Sequence, residues 1–497
     1  MNIISKNITL VFSFFISLCI TFIFRDEVFL WDNITTTSGT ASFLYFHGWH
    51  IFSMGNYLDC GHPPLMSLYY ALSWKLFGRN LLVSHFAQMP FLWLFLHQYF
   101  LLAKKMFEKE KSNLLIFLST ILLFADTTFL SQAAQVGFEI SLVSFFLLAV
   151  NLLWKRLSGE SNNVYIFLLC LIIMPLMQLR GVPIVISLFI IEAIFTPNFF
   201  KRGIKNVFIT LLPYSISALI LCSWLWLHFT HVGYLITDPK SSWGADNNSI
   251  ADFHRIIFNS LIIGLRWIDN GRILLCLILV FASFWFLFKQ KEKSFSKFIF
   301  VVWLITSIVL SLNFVMMTKP ICHRYLLPAI VMMPLLAIYF IFHQTFFNKK
   351  SIQISVVFIL IAGAIAGNFY FYLERYSIGW DSTLAHLPYK DLRKDVEQFA
   401  VENKIPADKC GSRFPLDVPD SIVYLTAKNP SWTASSMNAS NLEIFDYVLF
   451  SNICTSFTDE QKQILNKKYG AIKKWRKGKV VFIFYKKLKP NSTNANS

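Results

Sequence analysis

Residues 8–24 of the chain read ITLVFSFFISLCITFIF, and Arg25, Asp26 and Glu27 follow directly. An apolar run of this kind fits a helix that crosses a membrane, and the absence of an Ala-x-Ala-like cleavage site predicts that the helix is retained. Two adjacent carboxylates at a membrane surface are costly to desolvate and are usually kept for function. The alternative is a pair of interfacial charges that ends a helix. The stretch therefore predicts a membrane protein and suggests an active site at one bilayer face.

The composition assigns the whole chain to the same class. Of its 497 residues, 55% are hydrophobic and only 15% are charged, an apolar content that a soluble globular protein of this length does not need. The net charge of +17 raises the question of a nucleic-acid partner, but Lys and Arg fall in short runs between apolar stretches, as in cytoplasmic loops of membrane proteins. No nucleic-acid partner is therefore expected. The runs are Lys104, Lys105, Lys109 and Lys111; Lys155 and Arg156; Lys201, Arg202 and Lys205; Lys289, Lys291, Lys293 and Lys297; and Lys349 and Lys350.

The basic runs also predict the topology. Placing every run in the cytoplasm gives an α-helical polytopic protein of about eleven transmembrane helices, with the N-terminus inside and the C-terminus outside. Residues 63–78 are apolar but short, and a span there would turn the run at 104–111 to the outside. They therefore predict an interfacial or re-entrant helix on the outer side. The predicted spans are 8–24, 82–103, 113–130, 139–153, 164–179, 183–197, 207–228, 273–288, 298–314, 326–347 and 352–371.

This topology brings acidic, histidine and arginine side chains to one extracytoplasmic face. Because the orientation rests on basic residues of the loops, the convergence of the other side chains is partly independent support for a functional face. The residues are Asp26, Glu27, Asp32, His47, His50, Asp59, His62, Asp126, Glu139, Arg180, His323 and Arg324.

The composition changes from about residue 372, where charges become frequent and apolar runs shorten to strand length. We therefore divide the chain into a transmembrane domain (1–371), a small extracytoplasmic α/β domain (372–487) and a disordered tail (488–497). The sequence leaves open whether Cys410 and Cys454 of the small domain form a disulfide. Its strands are predicted at 421–425, 447–450 and 480–484, and its helices at 390–402 and 459–468.

Three motifs on the outer face carry candidate binding residues. In Gly61-His62-Pro63-Pro64-Leu65, a rigid helix entry presents His62, which can hydrogen-bond or ion-pair with a phosphate. Glu139 opens the fourth span, where a carboxylate needs a cation, a metal or a polar substrate. Arg324 and Tyr325 open the tenth span. Arg suits bidentate phosphate recognition, and the alternative is a snorkelling Arg beside an interfacial Tyr. Arg180 has the same two interpretations.

A polar turn at residues 129–137 separates the third and fourth spans. Its Ser and Gln side chains make it polar enough to face water. Asp126, just before it, is expected to have a structural role.

Four of these elements, in this order, resemble the C-type integral-membrane glycosyltransferases. They are the Asp26-Glu27 pair, the His-Pro-Pro-Leu element at 62–65, Glu139 before an L-x-x-F-x-x-L pattern, and Arg-Tyr-Leu-Leu-Pro at 324–328. Within this class the chain is similar, over residues 8–347, to the family 39 group, which includes protein O-mannosyltransferases and lipid A aminoarabinose transferases.

The resemblance implies an inverting glycosyltransferase that moves a sugar from a polyprenyl-phosphate donor to a glycan, lipid or protein acceptor. The transfer would take place at the extracytoplasmic face of the cell (inner) membrane. The resemblance maps Asp26 to the catalytic base and places Glu27 and Glu139 beside it. It makes His62 and Arg324 candidate contacts of the carrier phosphate, and their neighbours on the same face, Tyr325 and Arg180, are further candidates from the residues themselves.

The chain departs from the aminoarabinose transferases at two of these positions. They carry Glu-Lys before Pro-Pro-Leu, where this chain has Gly61-His62, and Glu139 stands where Asp is common. A metal ligand supplied by that missing Glu is therefore in doubt. If a divalent metal is used as cofactor, its candidate ligands are Asp59, His62 and Glu139.

The implied chemistry is consistent with the residues themselves. A polyprenyl-phosphate leaving group bears its own negative charge, so cationic side chains can stabilise its departure while one carboxylate activates the acceptor. The chain has no Gly-rich phosphate loop, which favours a lipid donor over a nucleotide sugar. The alternative function is a transporter or flippase of lipid-linked glycans, which would tend to show inverted repeats and ionisable groups near the midplane.

Overall fold

Apolar helices form most of the chain before the C-terminal domain in the computed structural model. It describes residues 3–54, 58–59, 61–109, 112–160, 163–196, 204–238, 250–288, 294–318, 322–343, 349–369, 379–426, 432–438, 441–454 and 457–488. The first helices are α1 (Ile3–Phe24), α2 (Thr40–His47), α3 (Leu65–Phe77), α4 (Leu81–Met106), α5 (Asn113–Ala125), α6 (Thr127–Ala134), α7 (Glu139–Leu157), α8 (Val164–Met177) and α9 (Gly181–Phe195). They are followed by α10 (Ile204–Val232), α11 (Phe253–Ile268), α12 (Ile273–Phe288), α13 (Phe295–Val315), α14 (Leu327–Ile330), α15 (Met333–His343) and α16 (Lys350–Gly367).

Every predicted span corresponds to one apolar helix or to a bent pair of helices. Among the described residues, five single helices are long and apolar enough to cross a membrane, or up to eight segments if each bent pair is one span. Shorter apolar helices at Ile8–Phe24, Val164–Met177 and Gly181–Phe195 match the remaining predicted spans. The chain is therefore a polytopic helical membrane protein, as predicted. The bent pairs are α5 with α6 (71°), α11 with α12 (100°), and His323–Ile330 with α15 (45°).

The segment predicted at 63–78 forms α3, which begins after Pro63-Pro64 and ends at Gly78, where the backbone adopts φ +94°. Its buried side chains, among them Tyr70 and Trp74, belong to an apolar core that also contains Trp380 of the C-terminal domain. The helix therefore lies on the side of the bundle that carries this domain. We call this end of the bundle the domain end.

The described part of the C-terminal domain combines a five-stranded sheet with three α-helices. Strand β1 runs parallel to β2 and β3, and β5 is antiparallel to β3 and β4, in the order β2-β1-β3-β5-β4. The elements are α17 (Tyr389–Glu402), β1 (Cys410–Ser412), α18 (Asp420–Val423), β2 (Ser435–Ser436), β3 (Tyr447–Ser451), α19 (Asp459–Lys468), β4 (Tyr469–Lys477) and β5 (Val480–Lys487). The small α/β domain is therefore confirmed.

One detail of this domain differs from the predictions, and one question that the sequence left open is answered. The strand expected at 421–425 is wrong, because Pro419 starts the short helix α18, whose Asp420 accepts a hydrogen bond from Arg393 at 3.0 Å. Cys410 and Cys454 are both buried free thiols, so they do not form a disulfide.

Several predictions fall outside the described residues. The boundary at residues 371 and 372 lies there, as does the predicted tail beyond residue 488. So do Lys111, Lys201, Arg202, Lys289, Lys291 and Lys293 of the basic runs. The domain boundaries and the charge pattern of those loops therefore stay predictions.

Candidate active site

Arg324 lies at the centre of a buried group of charges at the domain end. It belongs to a single helical turn, His323–Leu326, and is only 2% exposed. Its Nη2 donates to Asp32, its Nη1 lies 2.6 Å from Asp381 Oδ2, and its Nε lies 3.7 Å from Glu139 Oε1. The three carboxylates come from the first loop, the C-terminal domain and α7. Arg324 therefore joins three distant parts of the chain at one point.

Arg180, at the start of α9, adds a second guanidinium to this group. Its Nη2 donates to Glu139 Oε1 at 2.6 Å, so Glu139 lies between two arginines. Its guanidinium carbon also lies 3.9 Å from the centre of the Tyr325 ring. Four of the predicted site residues, Glu139, Arg180, Arg324 and Tyr325, are thus in contact. We call Asp32, Glu139, Arg180, Arg324 and Asp381 the arginine cluster.

His62 lies beside the arginine cluster but carries no charge at neutral pH. Burial, reinforced by the nearby Arg180, lowers the pKa of His62 to about 3. A neutral imidazole cannot form the ion pair with phosphate that the sequence left open, but it can still hydrogen-bond. Its Nδ1 is buried and has no partner among the side chains and backbone groups that the structure describes.

The loop that carries His62 is fixed by Asp59. The Asp59 carboxylate accepts hydrogen bonds from the backbone N–H of Gly61 at 3.1 Å and from Tyr234 Oη at 2.8 Å. It also lies 2.9 Å from His228 Nε2 in α10, and both side chains are fully buried. Because these partners occupy both oxygens, Asp59 acts as an anchor of the loop.

The candidate metal ligands Asp59, His62 and Glu139 are not brought together as a set. Glu139 is paired with arginines, and Asp59 with His228 and Tyr234. Within the described ranges, no group of three or more His, Cys, Asp or Glu side chains is placed to hold a metal ion. The described residues therefore do not support the metal site that the sequence suggested.

Comparison with known proteins identifies the fold. No family model and no curated protein sequence matches the chain. Among solved structures, the chain resembles ArnT from Cupriavidus metallidurans bound to undecaprenyl phosphate, with a TM-score of 0.54 and 12% sequence identity. The apo ArnT structure gives a TM-score of 0.50 and 11% identity, and in both cases the match covers 95% of this chain and 97% of the other. This chain has the C-type glycosyltransferase fold.

The predicted pair Asp26 and Glu27 lies apart from the arginine cluster in this C-type fold. The Asp26 side chain is 70% exposed, and its carboxylate is 3.7 Å from Arg25. It lines a cavity of about 340 Å³ together with Lys390 and Lys394 of α17. Glu27 is half-buried next to the same helix, and burial raises its pKa to about 6. The structure therefore places the pair against the C-terminal domain.

Asp32 and Asp381 are the two cluster members that the sequence did not single out. Asp32 was grouped with the outer face, but only the backbone at Trp31 (φ +49°) and the π-helical turn Asn33–Gly39 bring it inward. Asp381 gave no sequence signal. The interaction that positions it comes from a different part of the chain.

Asp381 is held by the turn at residues 129–137, which was predicted to face water. The turn is buried, and its Gln132 and Gln135 amides donate to the Asp381 carbonyl at 2.7 and 2.9 Å. The Ser131 hydroxyl donates to the same oxygen at 2.8 Å. The polarity of the turn therefore serves to dock the C-terminal domain.

A second buried network supports Arg324 from its other side. Asp269, at the bend between α11 and α12, lies 2.7 Å from His323 Nε2 and 3.3 Å from Arg272 Nη2. Arg272 Nη1 in turn donates to Asp126 at 3.1 Å, and Asp126 caps α6 through the backbone N–H of Phe129. The structural role expected for Asp126 is confirmed. This network fixes the residue next to Arg324.

Proposed function

We propose that the chain is an inverting glycosyltransferase that uses a sugar linked to polyprenyl phosphate. The observation that supports this most is the arginine cluster, in which two guanidiniums still have buried nitrogens without a hydrogen-bond partner among the described residues. The cluster lies within a fold that a structure bound to undecaprenyl phosphate shares. The arginine cluster supplies side chains that can bind the anionic phosphate and a side chain that can accept a proton. The orientation that we propose places the cluster at the extracytoplasmic face of the cell (inner) membrane.

The donor phosphate is held by Arg180, Arg324 and His62. Arg180 Nη1, Arg324 Nε and His62 Nδ1 are buried and lack hydrogen-bond partners within the described part of the chain. Buried arginine N–H groups without acceptors are costly, so an anionic ligand that accepts from them is favoured. His62 can donate to the same ligand in the tautomer that carries the proton on Nδ1. Two guanidiniums also stabilise the charge on the lipid phosphate as it leaves.

The phosphate must compete with carboxylates that already pair with Arg324. Asp32 is the partner that is most open to exchange, because its side chain is 27% exposed, against 5% for Glu139 and 3% for Asp381. Phosphate binding would release Asp32 from Arg324. Glu139 and Asp381 would stay in place and keep the guanidinium groups oriented.

The released Asp32 is the general base in this proposal. It takes the proton of the acceptor hydroxyl or amine while the acceptor atom attacks the anomeric carbon of the sugar. The bond between that carbon and the phosphate oxygen breaks, and the electron pair leaves with the lipid phosphate. Attack from the face opposite the leaving phosphate inverts the configuration. We propose that the acceptor is a glycan, a lipid or a protein. Residues outside the arginine cluster determine which sugar and which acceptor are used.

The experiment compares transfer of a radiolabelled sugar from polyprenyl-phosphate donors by the purified wild type, by Arg324→Lys and by Arg324→Ala. We expect Arg324→Lys to lose most activity and to bind donor more weakly, since an ammonium cannot reproduce a planar fork that contacts three carboxylates. Arg255→Lys, a half-buried arginine of α11 outside the cluster, is the matched control. A normal rate and a normal KM in Arg324→Ala would reject the proposed phosphate site.

A further inference from the structure

A second cavity lies at the opposite end of the helical bundle. It has a volume of about 820 Å³ and lies between α1, α4, α5, α7 and α13. Helix α7 begins at Glu139 in the arginine cluster and carries Asn151 and Lys155 of the cavity near its other end. At 1.5 Å per residue, the cavity is on the order of 20 Å from Glu139 along this helix. It is therefore separate from the candidate active site.

The rim of this cavity is cationic. Lys104, Lys105 and Lys155 line it together with two acids, Glu108 and Glu160. Lys105 lies 3.4 Å from Glu108 and 3.3 Å from Glu160, so a single lysine pairs with both acids. The rim thus carries more positive than negative charge.

The interior of the cavity combines polar groups with apolar walls. The Asn151 amide donates to Gln98 Oε1 at 2.9 Å, and both side chains are buried. His97 Nδ1 and Trp154 Nε1 are buried ring nitrogens with no hydrogen-bond partner within the described ranges. Among apolar helices such groups are costly unless a ligand or water completes them. The walls include Leu101, Ile116, Leu148 and Phe295.

We propose that this cavity binds one membrane lipid through an anionic phosphate headgroup. The lysine ammonium groups and the ring nitrogens contact phosphate oxygens, and the apolar walls contact the first part of the lipid chain. The cavity volume of about 820 Å³ is large enough to hold a phosphate headgroup. A soluble anion would gain nothing from the apolar walls, whereas a lipid uses both surfaces. The site lies away from the arginine cluster, so it does not depend on the proposed transferase activity.

Two sources share this ligand chemistry: an anionic glycerophospholipid and polyprenyl phosphate itself. The test is native mass spectrometry of the full-length protein with phosphatidylglycerol, undecaprenyl phosphate or phosphatidylcholine. We expect one bound anionic lipid, and at least tenfold weaker binding in the double variant Lys104→Gln, Lys155→Gln. Phosphatidylcholine, whose headgroup has no net charge, should bind weakly to both proteins. Lys109→Gln, an exposed lysine just after α4 that does not line the cavity, should bind like the wild type.

The two lipids are distinguished in the Arg324→Gln variant, which lacks the phosphate contact proposed for the candidate active site. Lysine-dependent binding of phosphatidylglycerol there identifies a glycerophospholipid, and lysine-dependent binding of undecaprenyl phosphate alone identifies the polyprenyl lipid. Lys104 also hydrogen-bonds Thr9, so folding of the double variant is checked by its Tm. Leu148→Trp, which fills the cavity without changing a charge, is the second variant and should also lose the lipid. Equal lipid binding by the wild type and either folded variant would overturn the proposal.

Discussion

Asp32 and Asp26 belong to the same loop but have different surroundings. Asp32 pairs with buried Arg324, whereas Asp26 is 70% exposed. We expect Asp32→Asn to lower turnover by about 100- to 10,000-fold, because the amide keeps the shape of the side chain but cannot accept a proton. Asp26→Asn should change turnover little. Radiolabelled transfer by both variants, with donor binding measured in parallel, checks this.

The same pair of variants tests the base that the family resemblance implied. If Asp26→Asn abolishes transfer and Asp32→Asn does not, the base is Asp26 and the arginine cluster only binds the donor. The Tm of each variant is the control, because Asp32→Asn also removes one charge partner of Arg324. Near-normal transfer in both variants would exclude both Asp26 and Asp32 as the base.

Glu27 should make stability depend on pH. Burial raises its pKa from 4.5 to about 6, so between these values the folded state holds more of the proton than the unfolded state. The cost of the buried charge is absent below about pH 4.5, grows as pH rises, and is complete above about pH 6. Glu27→Gln should therefore raise the free energy of unfolding by up to about 2 kcal/mol at pH 7.5 and leave it unchanged near pH 4.

Thermal unfolding at the two pH values measures this difference. Asp408→Asn, an exposed carboxyl of the C-terminal domain, serves as the control and should not shift the Tm at either pH. The same change in Tm at pH 4 and pH 7.5 for Glu27→Gln would contradict a buried, titrating carboxyl.

Part of the site could be predicted from single residues. Glu139, Arg180 and Arg324 are charges at the ends of apolar helices, and such charges are kept when they meet one another or a ligand. The sequence could not choose between the carboxylates of the first loop. That choice depends on a local turn at Trp31, where a non-glycine residue adopts a positive φ.

At the scale of the element, the bend between α11 and α12 holds the site in place. Gly271 lies in this bend with φ +80°, and a Cβ there would approach the carbonyl oxygen of Gly363 in α16 to 1.9 Å. We expect Gly271→Ala to prevent normal folding or to lower the Tm strongly, since both the backbone and the close contact exclude a side chain. Yield and Tm of the purified protein are the measurements.

Gly264 in α11 provides the matched control. A Cβ at this position would meet no heavy atom within 4 Å. Gly264→Ala should therefore be neutral or stabilise by up to about 1 kcal/mol, because Ala has the higher helix propensity. If Gly271→Ala kept the wild-type Tm, the bend would not require a glycine.

Elements with a uniform apolar pattern were predictable, as were the two amphipathic helices α17 and α19, but two elements with mixed patterns were missed. The spans and the strand β5 follow from apolar runs alone. Strand β4, with the sequence YGAIKKWRK, was missed because it is a lysine-rich edge strand paired on one side only. Helix α11 was missed because Arg255 and Arg266 interrupt its apolar run.

At the scale of the whole molecule, the arginine cluster requires the C-terminal domain to pack at the same end of the helical bundle as the cluster. Asp381 of that domain contacts Arg324, and the carbonyl of Asp381 is held by Gln132 and Gln135. These contacts could not be predicted, because they arise from docking between segments that are far apart in the sequence. The side of the membrane on which the domain lies therefore also fixes the side of the active site.

Reporter fusions should show which side this is. Helix α4 begins at Leu81, close to the domain end, and leads at Met106 into the loop that contains Lys109. Because basic loops stay in the cytoplasm, a fusion after Lys109 should report a cytoplasmic location, and a fusion after Leu488 an extracytoplasmic one. A fusion after Gly78, at the end of α3, should agree with the one after Leu488, since α3 shares a core with the C-terminal domain. Identical signals from the fusions after Lys109 and Leu488 would place both ends of the bundle on one side of the membrane. The arginine cluster, which joins α7 to the C-terminal domain at one end of the bundle, does not allow this arrangement.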